Sequence, residues 1–146
     1  MIHDVQLTPL QIITDERGAV LHMLKNTDPS FAGFGEIYFS QIGNGQKKAW
    51  RLHPQSTSQI AVPRGCVRII MCDQRSGSTS YNSIQEVELG DMNYQLLTIP
   101  PGIWFALQCT GTTDALIANC SNMVHDSTAV ERRAIENSPI PYVWRD

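Results

Sequence analysis

Short runs in which apolar residues are continuous or alternate with polar ones recur along the chain, each closed by residues that favour turns. Val5 to Leu10, Val20 to Leu24, Glu36 to Ile42, Ala49 to Leu52, Gln59 to Val62, Cys66 to Asp73, Ile84 to Leu89, Tyr94 to Ile99, Trp104 to Cys109 and Ala115 to Asn119 read as strands. Between them lie turn signals such as Asp15-Glu16-Arg17-Gly18, Gly43-Asn44-Gly45, Pro63-Arg64-Gly65, Ser76-Gly77-Ser78 and Pro100-Pro101-Gly102. In Cys66 to Asp73, Val67, Ile69 and Met71 share one face, and Arg68, Ile70 and Cys72 the other. Neither face is simply polar, so both are expected to be covered. Only Ser127 to Asn137 has helical composition, with Asp126 or Ser127 as its cap. Many short strands with almost no helix predict an all-β sandwich or barrel, and closure removes exposed strand edges. Pro-Gly punctuation and polar residues alternating along the middle strands suit a cavity, which favours a jelly-roll barrel over an immunoglobulin-like sandwich.

Length and charge narrow the picture. A chain of 146 residues fits a single domain over residues 1–146. Its charged fraction of 17% lies below the roughly 25% of an average soluble protein, so part of the surface is expected to be an oligomer interface. A net charge of -3 with scattered Lys and Arg argues against nucleic acid as a partner, since counterion release needs clustered basic groups. No basic-then-apolar signal opens the chain and no apolar run has the length of a membrane span, so no membrane partner and a cytoplasmic location are expected. Cys66, Cys72, Cys109 and Cys120 form no C-x-x-C pair and lie in apolar segments. Reduced core thiols are the expectation, with disulfides or one reactive thiol as alternatives.

Candidate chemistry concentrates in Lys48-Ala49-Trp50-Arg51-Leu52-His53-Pro54-Gln55. Alternation puts Arg51, His53 and Gln55 on one side, where a cation, an imidazole and an amide suit an anionic or hydroxyl-rich ligand. A histidine accepts a proton near neutral pH without help. His3, His22 and His125 lack such company and read as structural. Arg132-Arg133 reads as a solvated face, and Tyr142 and Trp144 as closing the barrel or an interface. Trp104 and Phe105 read as core aromatics at the barrel mouth, or as rings that stack on a nucleobase.

Six motifs run in an order that resembles the dTDP-4-dehydrorhamnose 3,5-epimerases, cupin-fold enzymes of nucleotide-sugar metabolism. They are Asp15-Glu16-Arg17-Gly18, Phe39-Ser40-Gln41, Arg51-Leu52-His53-Pro54-Gln55, Asp73-Gln74-Arg75-Ser76-Gly77-Ser78, Ile99-Pro100-Pro101-Gly102 and Ile140-Pro141-Tyr142-Val143-Trp144. The resemblance implies a cupin-type jelly roll, a homodimer, a nucleotide-sugar ligand and no cofactor. It implies His53 as the base that removes a proton beside a 4-keto group, and Arg17, Gln41, Arg51 and Gln55 as ligand contacts; Trp104 joins them as a substrate-binding candidate only through its aromatic ring.

Several family positions are filled differently. The family's lysine falls near Ser58 or Gln59, its acid tyrosine near Ala118 or Asn119, and the aspartate behind its histidine near Asn137 or Ser138. Asn119 can donate a hydrogen bond to an oxyanion, and Arg51 can supply positive charge. A metal cupin would need a His-x-His pair and a later His, but the chain has Arg51-Leu52-His53 and Trp104-Phe105 there, so no metal site is expected. The leading expectation is an isomerase that epimerises a nucleotide-linked 4-keto-6-deoxy sugar at carbon 3, carbon 5 or both. A ketoisomerase on the same scaffold and a weakly active or non-catalytic sugar-nucleotide-binding barrel are the alternatives.

Overall fold

A computed structural model describes all residues from Met1 to Asp146. Twelve strands form two facing five-stranded sheets and one hairpin, all pairings being antiparallel, and there is no helix. The strands are β1 (Gln6–Pro9), β2 (Ile12–Asp15), β3 (Gly18–Leu21), β4 (Glu36–Ile42), β5 (Lys47–Leu52), β6 (Ser58–Arg64), β7 (Cys66–Asp73), β8 (Ile84–Gly90), β9 (Gln95–Ile99), β10 (Ile103–Cys109), β11 (Ala115–Ser121) and β12 (Glu131–Arg132). The first sheet runs β1-β9-β6-β11-β4 and the second β12-β5-β10-β7-β8, the all-β jelly roll that the short alternating runs predict.

A single cluster of seventeen buried residues fills the space between the sheets, with Ile60, Val62, Leu97 and Ile99 from one and Val67, Ile69, Met71 and Leu89 from the other. The second sheet is also covered on its outer face. Trp50, Leu52, Ile70, Cys72, Trp104 and Ala106 pack there beneath Ile140, with Tyr142 and Trp144 alongside. This explains why β7 is apolar on both faces. The tail is latched by Arg145, whose guanidinium donates to Glu86 Oε2 at 2.6 Å, while the Tyr142 hydroxyl donates to the other oxygen, Oε1. Cys72, Cys109 and Cys120 are buried free thiols, as the apolar context predicts, and Cys66 is half-buried and free.

The segment read as a helix is not one. Glu131 and Arg132 pair with Leu52 and Arg51, and Trp50 and Arg133 exchange backbone hydrogen bonds of 2.9 and 3.0 Å. An eleven-residue helix is marginal by itself, whereas β5 offers an otherwise open edge of donors and acceptors. Arg133 is held too: its guanidinium lies 4.0 Å over the Trp104 ring and donates to Gln74 at 2.7 Å. It is therefore a packed residue rather than part of a solvated face.

Two sequence motifs also build local turns. In Asp15-Glu16-Arg17-Gly18 the Asp15 carboxylate accepts from the Arg17 backbone N–H at 2.8 Å and from its guanidinium at 2.7 Å, closing the turn of the β2–β3 hairpin. In Asp73 to Ser80, the fully buried Asp73 accepts from Arg75, Ser78 and Ser80. Arg75 and Ser80 in turn hold the backbone of His3, pinning the amino-terminal segment across the sheet end.

Candidate active site

The apolar core does not extend to the side of the sandwich where β4 and β5 face each other. There Tyr38 and Ser40 of β4, Lys48 and Arg51 of β5, His53, Phe105 of β10 and Asn119 of β11 surround a cavity floored by Ile60, Leu107 and Ile117. Tyr38 and His53 also line a second, outer cavity with Glu36, Gln55, Ser58 and the 123–130 segment, including His125. The two hollows therefore meet at the histidine.

Local irregularity in β5 decides which side chains enter. The β5–β10 register shifts between Phe105 and Leu107, so Leu107 pairs with Lys48 while Phe105 pairs with Arg51. This bulge places Lys48 and Arg51, three residues apart, in the same cavity, where strict alternation would separate them. It also leaves Trp50 and Leu52 on the outer face. Alternation from Arg51 onward holds, so Arg51, His53 and Gln55 border the connected cavities as the sequence predicts.

His53 is held from two directions. Its carbonyl accepts a 2.9 Å hydrogen bond from Gly102 N–H, at the turn of Pro100-Pro101-Gly102, where a φ of +83° favours glycine. Its ring stacks on Phe105 with centroids 5.7 Å apart and planes 24° from parallel. Burial, followed by the charges of His125, Arg51 and Arg132, pushes the imidazole pKa below its ordinary value. The ring is accordingly neutral at pH 7 and ready to accept a proton.

Across the cavity the Tyr38 hydroxyl oxygen accepts a 2.9 Å hydrogen bond from the Asn119 amide. Burial raises the phenol pKa, against the lowering influence of Arg51, so Tyr38 holds its proton at neutral pH. A neutral base, a protonated acid and two cations thus converge on one cavity. That set suits proton abstraction beside a carbonyl, with positive charge nearby for the oxyanion that forms.

Other candidates are placed elsewhere. Arg17 is exposed at the tip of the β2–β3 hairpin, and Gln41 points outward from β4, opposite Tyr38 and Ser40. Trp104 is only 4% exposed and lies on the outer face beneath Ile140 and Arg133, and its neighbour Phe105 borders the cavity instead. Tyr38, Lys48 and His125 are the site residues that sequence reasoning passed over. Tyr38 had a usable signal in the alternation Glu36, Tyr38, Ser40; Lys48 needed the bulge, and His125 needed the path of the 123–130 segment. Nowhere do three His, Cys, Asp or Glu side chains converge in a metal-binding group.

The sequence model of a family described as dTDP-4-dehydrorhamnose 3,5-epimerase matches residues 1–138. The chain belongs to that family. It is similar to a crystallised dTDP sugar isomerase from Desulfovibrio desulfuricans G20, at 40% identity and a TM-score of 0.95 over 98% of this chain and 92% of that one. A probable low-salt glycan biosynthesis epimerase of Haloferax volcanii is 25% identical over 127 residues, covering 86% of this chain and 81% of that protein. The spore coat polysaccharide biosynthesis protein SpsL of Bacillus subtilis is 23% identical over 99% of this chain and 97% of its own.

Set on the dTDP-4-dehydrorhamnose 3,5-epimerase pattern, the three exchanged positions have distinct fates. Gln59, near the lysine position, is buried and binds the 30–32 loop through Ser30 and Ala32 and the neighbouring strand through Thr98. Cationic charge enters from β5 instead. Asn119, near the tyrosine position, is bonded to Tyr38 of the adjacent strand. Asn137 and Ser138, near the aspartate position, lie in the irregular segment after β12, and stacking on Phe105 orients the imidazole.

Proposed function

We propose that the protein epimerises a nucleotide-linked 4-keto-6-deoxy sugar at the carbon atoms next to the ketone, carbon 3, carbon 5 or both. The observation that carries this reading is the neutral His53 imidazole at the junction of two cavities, beside the Lys48 and Arg51 cations. His53 takes the proton from the carbon, the C–H electron pair moves to form the enolate, and Lys48 and Arg51 stabilise the negative charge on the former carbonyl oxygen. Reprotonation on the other face inverts the centre. No cofactor enters this sequence, because the ketone itself acidifies the neighbouring C–H bond.

Family membership and the names of the relatives, a dTDP sugar isomerase and two proteins of glycan or spore coat polysaccharide biosynthesis, support a dTDP-linked substrate and a role in polysaccharide biosynthesis. The direct test is NMR of the protein with dTDP-, GDP-, UDP- and CDP-4-keto-6-deoxy sugars in deuterated water. Deuterium at carbon 3 or 5 with an inverted product is expected. Migration of the keto group would establish a ketoisomerase. Binding without any exchange would establish a binding barrel, the reading favoured by the absence of a carboxylate behind His53.

A homodimer completes the proposal. The β2–β3 hairpin pairs with neither sheet, and a free two-stranded hairpin is marginal in water. It exposes Ile12, Ile13 and Val20, while the edge strand β4 exposes Ile37 and Phe39. A second copy covering these surfaces would bring the Arg17-bearing hairpin against its partner. Sedimentation is expected to give twice the chain mass of 16.3 kDa, and a monomer at working concentration would refute the dimer. Four free thiols fit a reducing compartment, and the cytoplasm is the proposed location; no helix is long and apolar enough to cross a membrane.

A further inference from the structure

We infer that Tyr38 is the acid that returns a proton to the substrate carbon, with Asn119 as the residue that positions its hydroxyl. This rests on the epimerase reading and adds a second proton-transfer group from a strand that the family pattern does not use for it. Near the family's tyrosine, residues 118 and 119 are Ala and Asn, neither of which can surrender a proton.

The argument is one of facing walls. His53 follows β5 in the second sheet, whereas Tyr38 belongs to β4 in the first, and both line the same two cavities. A sugar ring lodged between the sheets therefore has a base on one side and a phenol on the other. Inversion needs that arrangement, because the proton must leave from one face and return to the opposite one.

The local bonding fits an acid rather than a packing residue. Asn119 pairs directly with Tyr38 in the β4–β11 register, and its Nδ2 donates to the phenol oxygen at 2.9 Å. This leaves the phenol's own O–H free to donate into the cavity. The Asn119 Oδ1 is buried without a partner, an arrangement a fold pays for in stability and keeps at functional sites. In the step itself the O–H bond of Tyr38 breaks and a C–H bond forms. The enolate electrons supply that bond as the carbonyl is restored, and the phenolate left behind faces the Asn119 donor and the nearby Arg51 cation. His53 then releases its proton to water and Tyr38 regains one, so the cycle needs no other reactant.

Tyr38→Phe tests this in deuterated water with a dTDP-4-keto-6-deoxy sugar. The variant is expected to keep dTDP binding by calorimetry and to wash deuterium into recovered substrate of unchanged configuration. Inverted product is expected to fall by about 10²-fold or more. A His53→Asn variant loses both exchange and product, so the two roles are read separately. Inverted product at the wild-type rate from Tyr38→Phe would overturn the inference and leave the base assignment intact. Loss of exchange along with product, with dTDP still bound, would also overturn it, by assigning Tyr38 to proton removal.

Asn119→Ala supplies an independent readout should the Phe variant fold poorly. Tyr38 acts in its protonated form, so product formation declines as pH rises through the phenol pKa. The Asn119 hydrogen bond lowers that pKa. Its removal is expected to move the alkaline limb to higher pH, and an unmoved limb would refute the positioning role.

Discussion

His53→Asn is expected to fold, bind dTDP and lose proton exchange at the substrate carbon by about 10²- to 10⁴-fold, the usual contribution of a positioned general base. That range corresponds to about 3–5 kcal/mol of transition-state stabilisation. Asparagine keeps a polar side chain in the cavity and leaves the backbone carbonyl that Gly102 binds in place, so the loss reports chemistry rather than a displaced turn. The pH dependence follows from the direction of the shift. Burial and then the charges of His125, Arg51 and Arg132 depress the imidazole pKa. The base is therefore competent above that lowered value, and wild-type activity should persist to more acidic pH than an unperturbed histidine allows, falling as pH drops through it. Exchange measured between pH 5 and 8 checks this. An acid limb centred above the ordinary histidine value, or a His53→Asn variant exchanging at the wild-type rate, would refute the assignment.

The largest effect on stability is expected far from the cavity, at Asp73. Its carboxylate is fully buried and accepts from the Arg75 backbone and guanidinium, and from Ser78 and Ser80 at 2.6 Å each. Burial alone would raise the carboxyl pKa, but these donors outweigh it and hold the group well below the usual carboxylate range. Asp73→Ala strands the Arg75 guanidinium and two hydroxyls, at a cost of about 3–5 kcal/mol. It also frees the His3 segment that Arg75 and Ser80 pin. Urea denaturation at pH 7 measures the loss. Since the folded pKa lies below the unfolded one, the stabilisation is complete above the unfolded carboxyl value of about 3.9 and is lost as pH falls toward the folded value. Wild type and variant should therefore converge in stability at strongly acidic pH. A difference that does not shrink below pH 4 would mean that Asp73 contributes through packing alone.

The two variants also separate the motifs by purpose. The Arg51-to-Gln55 run carries chemistry, while Asp73 to Ser80 carries a buried turn that fixes the amino terminus. Both have the same outward character in sequence, a cluster of polar residues after an apolar strand. Only burial tells them apart: Asp73 has no exposed surface, whereas His53 is half-open to the cavity.

Strand identity was legible because a jelly roll is written in local signals. Period-two patterns and Pro-Gly turns determine where strands begin and end, and the limits of β4 and β7 follow from them residue for residue. His53 was legible for a similar reason, since the imidazole, its Arg51 neighbour and the turn that binds its carbonyl all lie in recognisable short motifs. The hairpin strand β2 was hidden because its residues are exposed and carry no inward face, and β12 because pairing with β5 overrides the helical composition of the segment.

By itself, then, the sequence determined an all-β chain, a strand from Cys66 to Asp73 covered on both faces, and a histidine flanked by polar groups, all of which depend on neighbours within a few residues. Tertiary structure alone decided the composition of the cavity. A one-residue bulge brings Lys48 to the cavity beside Arg51, and the pairing of β4 with β11 sets Tyr38 against Asn119, eighty-one positions away. It likewise turns Trp104 away and presents Phe105. The physical reason is that a side chain's face in a sheet is set by register, and register is fixed by long-range pairing and packing rather than by any local run of residues.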